Sequence, residues 1–226
     1  MSARRLLLTA SLLLVGVVPP SSAAPVIDWD PAYFYEPGAR FDHSDQDSEM
    51  KIVGVISAFG PPLEFLNAND PVKEYTFYVY GLISEGTVSF GSPGSQFYIT
   101  TYKNFGTIEI YEGPSHNSAF SPFPPNVANF TDGELLLKGT VSGFYTQTSD
   151  FSHFDTGNAE GHITWTGGSL LAYVAGDCPD LFTGGITWNP SLVITGYLFL
   201  HDGKIDHECP TPARSSTWGR MKKLYR

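Results

Sequence analysis

Glu74–Leu82 shows the pattern that recurs along the chain. Tyr75, Phe77 and Val79 alternate with Thr76, Tyr78 and Tyr80, the period of two that marks a β-strand. Both faces carry large side chains, which predicts a strand lying between two layers. Before it, Lys51–Phe59 is apolar and β-branched, and Pro61-Pro62 stops it. After it come a short strand at Gly86–Phe90 and a turn at Gly91–Gly94. Gln96–Tyr102 and Thr107–Tyr111, joined by Lys103–Gly106, predict a hairpin. Pro122, Pro124 and Pro125 make residues 113–130 a loop. Leu135, Leu137 and Val141 share a face within Glu134–Thr146, and Gly157–Gly161 reads as a turn. His162–Trp165 and Ser169–Val174 flank Gly167-Gly168. Gly185–Trp188 and Leu192–Leu200 follow, and Asp202-Gly203 turns the chain into Lys204–His207. Residues 25–50 look irregular.

About ten short strands and no internal helix predict an all-β fold: an antiparallel, jelly-roll-like β-sandwich, with a β-barrel as the alternative. No repeat of fixed period is present, which disfavours a propeller or solenoid. The 226 residues include 23 Gly and 17 Pro, and only 16% are charged. That composition excludes a coiled coil and a disordered acidic tail and suits one β-rich domain.

The two ends of the chain differ from its middle. Arg4 and Arg5 precede the apolar run Leu6–Val18, followed by Pro19, Pro20 and small residues up to Ala24. This predicts a signal peptide, residues 1–23, cut after Ala23 or at the next bond. Residues 24–210 form the β domain, and 211–226 a polar linker and basic tail. Residues 25–210 carry a net charge of −17, whereas 211–226 carry +5 without an acid. So acidic a body repels phosphate, which argues against nucleic acid as a partner. No later segment is apolar for long enough to span a membrane as a helix. Export makes a Cys178–Cys209 disulfide the expectation, worth about 3–4 kcal/mol for a loop of this length.

Candidate chemistry is sparse. Asp42, Asp45, Asp47 and Glu49 offer oxygen ligands at near-alternate positions, a partial match to a calcium loop without its turning glycine. Asp155, Asn158 and Glu160 lie near His153 and His162. A further cluster, His201, Asp202, Asp206, His207 and Glu208, contains zinc-type donors without zinc spacing. Trp165, Trp188, Tyr173 and Tyr197 are candidates for a carbohydrate-binding platform, against the commoner use of large aromatics as core. No nucleophile elbow or phosphate loop is present.

Three body stretches, Phe130-Thr-Asp-Gly-Glu-Leu-Leu-Leu-Lys-Gly-Thr, Thr166-Gly-Gly-Ser-Leu and Gly196-Tyr-Leu-Phe-Leu-His-Asp-Gly-Lys, resemble uncharacterised exported bacterial β-rich proteins. The ending Ser216-Thr-Trp-Gly-Arg-Met-Lys-Lys-Leu-Tyr-Arg is similar to a short basic tail shared by otherwise different exported bacterial proteins. The resemblance implies sorting, processing or attachment at the cell envelope, with Trp218, Arg220 and Leu224 as tail determinants. It implies no catalytic residue. The resulting expectation is an exported, non-enzymatic protein with a structural, adhesive or carbohydrate-binding role, partnered by surface polysaccharide or sorting machinery. The alternative is a secreted carbohydrate-active hydrolase using paired carboxylates. A third reading is a small-ligand barrel, which a hollow apolar interior would favour.

Overall fold

A computed structural model describes residues 25–207, apart from 104, 115 and 152–154. Nine antiparallel strands form one sheet: β1 (Ile27–Tyr35), β2 (Glu49–Phe59), β3 (Glu74–Ser92), β4 (Ser95–Tyr102), β5 (Gly106–Gly113), β6 (Glu134–Ser149), β7 (Thr156–Gly167), β8 (Asp180–Thr187) and β9 (Phe199–His207). Apart from β4 and β5, each strand pairs with its sequence neighbour around the sheet, and β1 pairs with β9 from Ile27↔Ile205 to Phe34↔Phe199. That seam closes the wall. β4 and β5 lie end to end in one position between β3 and β6. The fold is therefore a closed eight-stranded barrel with one extra strand, and the expected sandwich is overturned. A sandwich leaves edges on two sheets; closure removes them.

Several local expectations change with it. β1 runs through the stretch read as irregular, with a register shift between Trp29 and Ala32. Glu74–Leu82 and Gly86–Phe90 are one strand. β4 and β5 are collinear rather than a hairpin: both run antiparallel to β3, β4 along Ser84–Ser92 and β5 along Glu74–Tyr80. The expected turns at 157–161 and 202–203 lie inside β7 and β9. Ser169–Val174 is no strand; Leu171–Val174 is one helical turn, α1.

An eight-stranded barrel is just wide enough for side chains to fill, and this one is filled. Trp29, Phe34, Phe77, Phe182 and Phe199 are buried in one continuous core. Glycines in the wall make room for these rings. A Cβ on Gly54 would come within 2.5 Å of Phe77 and 2.8 Å of Ala32, and one on Gly161 within 2.8 Å of Phe144.

The β5–β6 loop crosses the outside of the wall as a strap. Phe120 packs on Tyr33 with ring centroids 4.7 Å apart, Phe123 meets Tyr35 edge-on at 6.0 Å, and Thr76 Oγ1 donates to the Phe130 carbonyl at 2.9 Å. Tyr33, Val53, Phe130 and Tyr197 form a second, outer cluster. The strap is the second layer that the two-faced pattern of β3 implied.

Antiparallel register defines two poles. β1 begins and β9 ends at the terminal pole, beside the β2–β3, β5–β6 and β7–β8 connections. The β1–β2, β3–β4, β6–β7 and β8–β9 connections lie at the distal pole.

Candidate functional site

The most organised polar group on an open surface stands at the terminal pole. Asp180 opens β8 and His207 ends β9, and the two are directly paired. Asp180 points inward and is buried. Its Oδ2 accepts a hydrogen bond from Trp165 Nε1 at 2.6 Å, and its Oδ1 accepts one from His207 Nδ1 at 2.6 Å. Two donors satisfy the buried carboxylate, as burial requires. With its proton on Nδ1, the half-exposed His207 ring keeps Nε2 for a partner outside.

The strand ends set this arrangement; the loops supply its walls. His207, Asp180, Pro61, Pro62, Tyr173 and Val174 line a cleft of about 130 Å³. α1 carries Tyr173, which is 54% exposed and lies beside Phe65, 55% exposed, with ring centroids 5.0 Å apart. On the far side of α1 a second cleft of about 130 Å³ is bordered by Trp165, Asp177 and Cys178. Two exposed rings beside an oriented imidazole can receive a ligand with an apolar face and hydroxyl groups, the usual make-up of a small binding site.

Of the four aromatics expected as a platform, the fold brings Trp165 and Tyr173 to this pole. Trp188 lies at the distal pole, stacked on Phe41 at 4.9 Å. Tyr197 is buried under the strap and donates to the Phe120 carbonyl at 2.8 Å. The zinc-type cluster is divided by strand alternation. His201 faces the lumen, while Lys204 and Asp206 pair at 2.7 Å. Asp28, across the β1–β9 seam, has its pKa raised by burial and then by Asp202. Glu208 and His153 lie outside the described residues.

The acidic run at the distal pole is spread over separate partners. Asp42 faces Arg40 at 3.1 Å, Asp45 faces His43 at 3.0 Å, and Asp47 pairs with Lys103. Glu49 faces Lys51 at 3.2 Å and accepts from the Gly81 amide at 2.9 Å. Among the described residues no group of three or more His, Cys, Asp or Glu is placed to hold a metal ion. The run folds over a buried carboxylate instead. Glu36 accepts from the hydroxyls of Ser44, Ser48 and Tyr102, the last at 2.9 Å, and Ser44 also reaches Ser84 Oγ at 2.6 Å. Burial, and then Glu36, raise the Tyr102 pKa well above its ordinary value. This network plugs the distal end of the barrel.

Sequence reasoning missed Asp180 and Glu36. Nothing local marks Asp180, whose partners lie 15 and 27 positions away. No free cysteine stands among the described residues, and the expected partner of Cys178, Cys209, lies outside them, as do the leader and the basic tail. No helix among the described residues is long and apolar enough to cross a membrane. No family model matches the chain, and neither a curated protein nor a solved structure matches it.

Proposed function

We propose that this chain is an exported barrel that acts by binding at its surface, and that its ligand is a carbohydrate received at the terminal pole. The observation that carries the reading is the exposed Phe65–Tyr173 ring pair, of which Tyr173 lines a cleft whose imidazole, His207, is held by a buried carboxylate. Rings stack on the apolar face of a sugar, and an oriented imidazole bonds its hydroxyls. The filled lumen supports surface action over the carriage of a small ligand inside. The hydrolase alternative gains little here. Asp180 is the one carboxylate lining the first cleft, and both of its oxygens are committed.

The same pole is where the chain leaves toward its basic tail, which we take as the address read at the cell envelope. We keep the Cys178–Cys209 disulfide as the anchor of that exit: Asp180 pairs with His207, and in sequence each cysteine is two residues from one member of that pair. Reduction should then change mobility on a gel.

A panel of envelope polysaccharides screened by calorimetry tests the ligand. Binding that is lost in Tyr173→Ala with melting temperature unchanged, and weakened in His207→Ala, supports the reading. No binding to any member, or binding indifferent to both substitutions, removes it. Fractionation of a Trp218, Arg220 and Leu224 triple-alanine variant tests the tail; unchanged location counts against the address.

A further inference from the structure

We propose that the free edge of the β3–β4 hairpin pairs with the same edge of a second copy of this chain. β3 runs past the end of β2. Its last backbone link to that side is at Ser84, whose amide donates to Ser48 O at 2.8 Å and whose carbonyl accepts from Asp47 N at 2.9 Å; beyond it the Thr87 side chain accepts from Ser44 N at 2.8 Å. From residue 86 to residue 92, β4 is its one ladder partner among the described residues. The other edge carries no strand.

Open edges are normally guarded by lysine, by inward-pointing charge or by a covering segment. Here residues 86–102 contain no charged side chain, in a body whose net charge is −17. The outward face is apolar. Val88 pairs with Ile99, and Phe90 with Phe97. Val88, Phe90 and Phe97 are 53%, 55% and 40% exposed.

Three considerations select a second copy as the occupant. An edge paired antiparallel with itself is two-fold symmetric, so backbone groups and apolar side chains match on both sides at once. Two bodies this acidic repel one another over most of their surfaces, and the uncharged hairpin is where they approach at least cost. A strongly charged partner would find no counter-charge on it. The contact is small: a seven-residue edge with its side chains falls below the ~800 Å² per partner typical of a stable complex. The dimer is therefore concentration-dependent.

Sedimentation velocity of the whole purified chain over rising concentration tests this, with Val88→Lys and Phe90→Lys alongside. Both positions are exposed, so circular dichroism and melting temperature should match the parent. The expected result is a parent that shifts toward twice the monomer mass. The amides of residues 86–92 should exchange more slowly at high concentration, and both variants should associate about tenfold or more weakly. A parent that stays monomeric throughout overturns the proposal, as does a dimer undiminished by either substitution. A monomeric parent that binds phosphatidylcholine vesicles, with binding lost in the variants, overturns it in favour of a lipid surface.

Discussion

Across the seam where the barrel closes, Trp29 Nε1 donates to His201 Nδ1 at 3.1 Å, joining strands that begin and end the described wall. The bond fixes the tautomer: Nδ1 accepts, so the neutral ring carries its proton on Nε2. Phe182 lies nearly parallel to the imidazole, with centroids 5.4 Å apart, and Phe34 packs at 4.9 Å. The wall opens a seat for the ring with Gly184 and Gly203, which face each other across β8 and β9.

The seam should make stability depend on pH. Burial lowers the His201 pKa to about 3, below the ordinary value near 6.5. Between those values the unfolded chain binds a proton that the folded chain refuses. Stability is thus full above pH 6.5 and falls as the solution is acidified toward pH 3, by about 1.4 kcal/mol per unit. Urea titrations at pH 7.5 and 4.5 should show a loss of roughly 2–3 kcal/mol in the parent from this group. His201→Gln, which has nothing to titrate there, should lack that component.

The glycine seat predicts a coupled pair. A Cβ on Gly203 would lie 2.5 Å from His201 Cε1 and 2.8 Å from the Thr183 carbonyl. Gly203→Ala should cost about 1–3 kcal/mol by overpacking. His201→Ala in the same chain should return part of that loss. A double-mutant cycle read by denaturant unfolding measures the coupling; strict additivity would contradict the seat.

The distal plug predicts a local effect. Tyr102→Phe removes one of the hydroxyls that satisfy Glu36 and should cost about 1–3 kcal/mol. Hydrogen exchange should quicken first in residues 36–48, which the network holds down, and last in β8 and β9.

At the opposite end, Trp165→Phe leaves Asp180 Oδ2 without its donor. That exposes a buried carboxylate oxygen to the cost of an unmade bond, about 1–3 kcal/mol. Asp180→Asn should also loosen the His207 ring, seen as increased side-chain mobility in NMR relaxation.

The class of fold was legible from strand alternation, and so were β2, the first half of β3 and the loop at 113–130. Closure was not, because it depends on Ile27 meeting Ile205, a pairing with no local mark. Glycine misled in a consistent way. Gly157, Gly161 and Gly203 read locally as turn residues, yet in this small barrel they sit within strands because a side chain there would strike a neighbour. β1 was hidden by Asp28, Asp30 and Pro31, which suit its register shift but obscure its alternation. At the candidate site, Trp165, Tyr173 and His207 were visible as chemistry. Asp180, which holds two of them together, emerges only from register.

A wall sealed by its first and last strands has a consequence for timing. The seam cannot form until β9 has emerged, so a chain delivered from its beginning must wait with a half-built, greasy inner surface. Such distant pairing makes for slow maturation. Until β9 arrives the wall stays open, and its inner rings meet solvent and neighbouring chains before they meet one another.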